Sequence, residues 1–162
     1  MSGINHPFGP LYSERSRILI LGSFPSVRSR EQNFFYGHPQ NRFWKVIAAV
    51  FDEALPETIS DKKGLILRNE LALWDSIASC DIAGSSDASI RNVKANDISC
   101  ILDNCSIERI YCNGRKSHEM YIKYIQPDIG REAICLPSTS PANAQWSMEK
   151  LTDAWAALKE PV

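Results

Sequence analysis

The chain reads as an α/β protein: a three-layer α/β/α sandwich with a central four-stranded parallel sheet. Two patterns point there. Short β-rich runs alternate with segments of helical spacing, and that alternation implies parallel pairing through right-handed crossovers. The first run, "RILILGS" (17–23), is apolar without interruption, as suits a strand covered on both faces. The length of 162 residues suits one ordinary domain spanning 1–162. A content of 44% hydrophobic against 23% charged residues is that of a globular protein with a core.

In order, "NRFWKVIAAVF" (41–51) places Phe43, Val46, Ile47 and Val50 at helical spacing. "SDKKGLILRN" (60–69) opens on Ser60, a candidate N-cap, and reads as a second helix. "LALWDSI" (71–77) is the second strand, and "GSSDASIRN" (84–92) a polar loop after it. "NDISCILDN" (96–104) reads as a helix, "IERIYCNG" (107–114) as a third strand closed by glycine, and "RKSHEMYIKYI" (115–125) as a helix. "REAICLPS" (131–138) holds the fourth strand. "SMEKLTDAWAALKE" (147–160) is an amphipathic helix with Met148, Leu151, Ala154, Trp155 and Leu158 on one stripe. Ligands of such folds sit beyond the carboxyl ends of the strands. The strand ends Gly22-Ser23-Phe24-Pro25, Asp75, Asn113-Gly114-Arg115 and the 137–141 segment are therefore expected to converge on one cleft.

Composition narrows the function classes. The net charge is −1, from 18 basic and 19 acidic residues, which weighs against a protein living on nonspecific phosphate contact but leaves room for a small basic face. The five cysteines (Cys80, Cys100, Cys105, Cys112, Cys135) are odd in number and form no CxxC pair. Reduced thiols are expected, with no metal and no cofactor. No apolar run reaches the roughly 18 residues of a membrane span. The N-terminal stretch lacks a basic region followed by an apolar one, so no signal peptide and a cytoplasmic location are expected.

Four segments offer chemistry. In "SFPS" (23–26), Pro25 fixes its own φ and biases Phe24 away from the helical region, so the chain turns past the strand. Phe24 then either plugs the sheet end or forms a wall on which a flat ring stacks. In "YGHPQNRFW" (36–44), Asn41 stands at a helix start, where Asn is a preferred cap. Its neutral amide is alternatively suited to hold a water, the carbonyl oxygen accepting from it while the water oxygen faces a reacting carbon, in a cationic transition state that needs positioning more than a strong base. His38 is a cleft acid, a phosphate contact or an ordinary loop residue. Asp75 closes an apolar strand, where a carboxylate needs hydrogen bonds or a cleft. It is a satisfied structural group or a reader of N–H groups. In "LPSTSPANAQW" (136–146), Ser138, Thr139 and Ser140 between two prolines form an ordinary loop or offer hydroxyls and amides to phosphate. No Ser-His-Asp order, GxSxG, P-loop or HExxH occurs.

Taken in order, "LGSFPS", "YGHPQNRFW", "ALWD", "YCNG" and "LPSTSPANA" before a C-terminal helix resemble the uracil-DNA glycosylase superfamily, and within it the hypoxanthine-DNA (deoxyinosine) glycosylase branch. The likeness covers nearly the whole chain. It implies a monofunctional DNA glycosylase of base-excision repair that flips a deaminated base out of the stack and hydrolyses its N-glycosidic bond. Hypoxanthine would be preferred, with uracil or xanthine as alternatives. "GSFPS" matches the first motif, where many members carry a polar water-activating residue at the position of Phe24. The resemblance moves that role to Asn41 and leaves Phe24, with Gly22, Ser23, His38 and Asp75, to the base. Asp75 matches a strand-end position that carries a base-reading Asn in other branches. "LPSTSPANA" matches the second motif, so Ser138, Thr139 and Ser140 meet DNA phosphate, Pro141, Ala142 and Asn143 enter the duplex, and Arg115 and Lys116 add phosphate contacts. Leu136 stands where that motif often has His. The implied partner is DNA containing deaminated bases, met by a monomer. The rival expectations are a nucleoside hydrolase and a noncatalytic nucleic-acid binding module on the same fold, the latter encouraged by the missing polar residue at position 24.

Overall fold

The computed structural model describes residues 3–160. Its strands are β1 (Ile4–Asn5), β2 (Ile18–Gly22), β3 (Leu71–Asp75), β4 (Ile77–Asp81), β5 (Arg91–Ala95), β6 (Arg109–Asn113) and β7 (Ile134–Leu136). The helices are α1 (Val27–Gln32), α2 (Phe43–Val50), α3 (Ile59–Arg68), α4 (Ser99–Leu102), α5 (Arg115–Met120), α6 (Gln126–Ile129) and α7 (Met148–Trp155). The expected four-stranded parallel sheet is present in the order β3-β2-β6-β7.

Alternation along β2 explains why its sequence is apolar throughout. Ile18 and Ile20 enter a core with Val46 and Ile47 of α2, Leu65 and Ile66 of α3, and Leu151 and Trp155 of α7. Leu19 and Leu21 enter the opposite core, with Ile101 of α4, Ile110 of β6 and the π-helical turn Tyr121–Ile125. Helices therefore cover both faces, and each fully buried Leu or Ile contributes about 1.5–3 kcal/mol.

A second sheet departs from the expectation. β1, β4 and β5 pair antiparallel in the order β1-β4-β5. The segment expected as one strand, 71–77, stops at Asp75 and changes sheets. Ser76 N–H donates to the Gly22 carbonyl (2.7 Å) and Ile77 N–H to the Ser23 carbonyl (3.1 Å), while the buried Asn96 amide donates to the Asp75 and Ile77 carbonyls. The expected polar loop 84–92 contains a 3-10 turn, Asp87–Ser89, and its last two residues, Arg91 and Asn92, begin β5. Phe24, Ile77, Cys80, Ile82, Ile90 and Met120 form the apolar filling of this small sheet.

Other boundaries also move. α3 is capped by Thr58, not Ser60: the Asp61 amide donates to Thr58 Oγ1, and the Thr58 amide to Asp61 Oδ2. The helix expected over 96–104 is the single turn α4. The helix expected over 115–125 changes to π geometry after Met120. α1 was not expected; Ser26 caps it by accepting from the Ser29 amide. Among the described residues no helix is long and apolar enough to cross a membrane.

Candidate active site

The carboxyl ends of β2, β3 and β6 open into one cavity of about 250 Å³, near the small end of ligand pockets at about 300–1,000 Å³. It is closed on one side by the 23–41 segment and on the other by the 138–142 loop.

Its floor depends on a missing side chain. Gly22 is the register partner of Asp75, and a Cβ at Gly22 would stand 2.3 Å from Asp75 Oδ1 and 3.1 Å from the Tyr36 hydroxyl. Asp75 is buried, and its Oδ2 lies 2.7 Å from His6 Nε2. Tyr36 adopts a left-handed backbone (φ 52°) and stacks on Phe43 at 3.9 Å between ring centroids. Among the described residues its buried hydroxyl has no hydrogen-bond partner. Burial first, then the Asp75 carboxylate, push that phenol far above its ordinary range. Tyr36 is therefore a neutral group at every physiological pH.

One wall is a chain of neutral hydrogen bonds. Asn41 Oδ1 accepts from the Phe43 amide (2.9 Å), which tethers the start of α2 one residue before its N-cap Arg42. The same oxygen accepts from Thr139 Oγ1 (2.8 Å). Thr139 Oγ1 in turn accepts from Asn113 Nδ2 (3.0 Å), and the Thr139 amide donates to Asn113 Oδ1 (3.0 Å). Both lone-pair directions of the Asn41 carbonyl are thus occupied, so it is not free to accept from a water as the sequence suggested, and its Nδ2 makes no hydrogen bond to the described residues. Arg42 ties the loop down from behind: its amide donates to the Thr139 carbonyl, and its guanidinium to the carbonyls of Trp146 and Asn143. Gly114 lets the loop approach β6, since a Cβ there would meet Ser138 Cβ at 3.0 Å, and its φ of 95° excludes other residues.

The opposite wall is Phe24, only 8% exposed, set among the apolar side chains of the small sheet. The Arg30 guanidinium lies 5.7 Å from its ring centroid. Phe24 thus both plugs the small sheet and lines the cavity. At the mouth, Ser23 Oγ donates to Asp87 Oδ1 (2.8 Å). Although Asp87 keeps exposed surface, crowding around its carboxyl raises it above the usual carboxylate range, while the Ser23 bond and Lys116 oppose the rise. His38 lines the cavity with Nδ1 accepting from the Gln40 amide.

Of the residues expected at the site, Gly22, Ser23, Phe24, His38, Asn41, Asp75, Ser138, Thr139, Ser140 and Pro141 border this cavity. Asn143, Arg115 and Lys116 do not. The Asn143 amide donates to the Ser138 carbonyl (2.9 Å) and so braces the loop. Arg115 and Lys116 begin α5, directly after Gly114. Thr139 is fully buried and its polar groups are committed, so it clasps the loop instead of offering a free hydroxyl to phosphate. Sequence reading missed His6, Tyr36 and Asp87, and it brought Asn113 to the cleft as part of a strand end without giving it a role. Asn113 had a signal, a polar residue closing an apolar strand. His6 had none, because its partner lies 69 residues away.

The cavity at the carboxyl ends of the parallel sheet offers a flat ring an aromatic wall, a buried carboxylate and a chain of fixed neutral amides. The chain belongs to the Uracil DNA glycosylase superfamily, whose family model matches residues 10–159. It is a DNA glycosylase, a hydrolase of N-glycosyl bonds. It is similar to the hypoxanthine DNA glycosylase of Methanosarcina acetivorans, 33% identical over 157 residues that cover 96% of this chain and 98% of the relative. It is similar also to the hypoxanthine DNA glycosylase of Methanosarcina barkeri, 31% identical over 92% of this chain and 94% of the relative. A solution structure from M. acetivorans, described as a candidate uracil DNA glycosylase, superposes with a TM-score of 0.78 at 30% identity, covering 94% of this chain and 97% of that one.

Proposed function

We propose that the protein removes deaminated bases from DNA, hypoxanthine first, by admitting an extruded nucleotide to the cavity above Gly22. The observation that carries this reading is the convergence of Phe24, Asp75 and Asn41, three residues from distant segments, on one base-sized space. Extrusion costs a few kcal/mol of lost stacking and pairing. On this reading Ser138, Ser140, Arg115 and Lys116 offset part of that cost through phosphate contacts, and Pro141 and Ala142 through groove contacts. Phe24 forms the apolar wall beside the base and Asp75 Oδ1 meets a ring N–H.

The N-glycosidic electron pair leaves with the base, and the sugar takes on oxocarbenium character; the water oxygen bonds to the anomeric carbon and the proton it sheds passes to the departed base anion, so no strong base is needed. Asn41 is the positioning group. Because its carbonyl already holds the Phe43 amide and the Thr139 hydroxyl, the free Nδ2 donates to the water oxygen and leaves a lone pair for attack. The Thr139–Asn113 chain keeps the amide from turning. Similarity to two relatives named hypoxanthine DNA glycosylase supports hypoxanthine as the first base to test.

The test uses oligonucleotides with a single deoxyinosine, deoxyuridine or deoxyxanthosine, followed by alkali to break abasic sites. Strand scission is expected first from deoxyinosine. Asn41→Ala should lower the single-turnover rate by about 10²–10³-fold at a stability cost of about 1 kcal/mol for the lost tether. An Asn41→Ala protein cutting at the parent rate would refute the water-positioning role. Equal rates on free deoxyinosine and on the oligonucleotide would indicate a nucleoside hydrolase.

A further inference from the structure

Behind Asp75, outside the cavity, stands a histidine that the reaction just described does not use. His6 follows β1, where its amide donates to the Ala78 carbonyl of β4 (2.7 Å). Its side chain and that of Asp75 are only 4% and 6% exposed, and Nε2 and Oδ2 are 2.7 Å apart. The Phe8 amide points at Nδ1 (3.4 Å). A nitrogen facing an N–H is an acceptor, so the ring proton sits on Nε2 and is donated to the carboxylate. Edge contacts to Phe8 (4.5 Å), Phe24 (6.0 Å) and Trp74 (6.5 Å) hold the ring on its sides. The Phe24 contact places the same imidazole behind both the aromatic wall and the carboxylate.

Asp75 Oδ1 has a different environment. It makes no hydrogen bond to the described protein, borders the cavity, and occupies the space that any side chain at Gly22 would take. A carboxylate free to turn would exchange its two oxygens. One fixed by a short buried N–H cannot without losing a charge-assisted bond.

We infer that His6 is a positioning residue for base recognition: it locks Asp75 so that a single acceptor, Oδ1, faces the cavity and selects bases that carry a ring N–H. This rests on the reading that the cavity takes an extruded base, and it names the chemical class admitted. Deamination of adenine turns the N1 lone pair of the amino-substituted ring into the N1–H of a lactam; deamination of cytosine does the same at N3. An anionic acceptor bonds the lactam and repels the lone pair of the parent base. Thymine and guanine also carry a ring N–H, so their exclusion falls to the shape of the cavity and not to this pair.

The experiment measures single-turnover release of hypoxanthine from a deoxyinosine oligonucleotide by His6→Gln and His6→Phe, each alone and in an Asp75→Asn background, with melting temperatures alongside. Gln keeps an N–H donor of similar reach; Phe keeps the ring and its packing but no donor. His6→Phe should lose about 10-fold or more, and His6→Gln about 3-fold or less. In the Asp75→Asn background His6→Phe should add less than about 2-fold, because the residue acts through Asp75. A Phe variant that works as well as or better than the Gln variant, or losses that multiply in the double variant, overturns the inference. If His6→Phe does not fold, His6→Ala takes its place in the same ranking. Parent protein that releases no base from any deaminated oligonucleotide overturns the proposed function and this inference together; active parent protein with the ranking reversed overturns this inference alone.

Discussion

The two sheets of this protein are built by different rules. In the parallel sheet, β2 is buried at all five positions and its residues feed two cores in alternation. In the antiparallel sheet, β5 has no fully buried residue, and β1 is two residues long. The first is held by apolar burial and would persist with many apolar sequences. The second is held by a few backbone bonds and by what it rests on, chiefly Phe24, Ile77 and Met120. Yet the cavity draws on both sheets: the strand ends of the first bring Gly22, Asp75 and Asn113 to it, and His6, directly after β1 of the second, meets Asp75 Oδ2 from behind.

The comparison breaks most severely where the sheets meet. Gly22→Ala puts a methyl on Asp75 Oδ1 at 2.3 Å. A buried carboxylate held by His6 has nowhere to swing, so excision should fall by about 10²-fold or more, as a displaced reactive geometry does, with a stability loss of about 1–3 kcal/mol from overpacking. Folded protein with parent activity would show that the Asp75 geometry is dispensable.

A milder perturbation separates the sheets by stability. Leu73 is fully buried in β3, and Leu73→Ala should cost about 2–5 kcal/mol in urea unfolding. Val93 of β5 is half-buried, and Val93→Ala should cost less than about 1 kcal/mol. Equal losses would mean the small sheet carries as much of the fold as the large one.

The smallest effect concerns Asp87 at the cavity mouth. Its carboxyl is raised in the folded protein, mainly by crowding. The folded state therefore holds that proton more tightly than the unfolded chain. The resulting stability is complete below the unfolded value of about 3.9 and is lost as pH rises through the folded value. Asp87→Asn cannot ionise. It should melt slightly above the parent at pH 7 and level with it near pH 3; a lower melting temperature at pH 7 would reverse the sign of the argument.

Legibility followed the same division. Strands and helices that face two cores announce themselves, so β2, β6 and the stripe of α7 were readable. Asn41 and the 138–141 loop were readable as polar residues at element ends. The commitment of the Asn41 carbonyl to Thr139 was not, because the two are 98 residues apart. Tyr36 looked like one of several aromatics in a loop, and only the closeness of Gly22 and Asp75 makes its unpartnered hydroxyl notable.

Sequence alone determined which strands would be parallel and which ends would carry polar groups, because burial on both faces imposes a composition that survives in one dimension. Tertiary structure decided which of those groups are free and which are spent on one another. A hydrogen bond between residues far apart in the chain leaves no periodic trace, so His6 behind Asp75 and Thr139 beneath Asn41 exist only once the chain has folded.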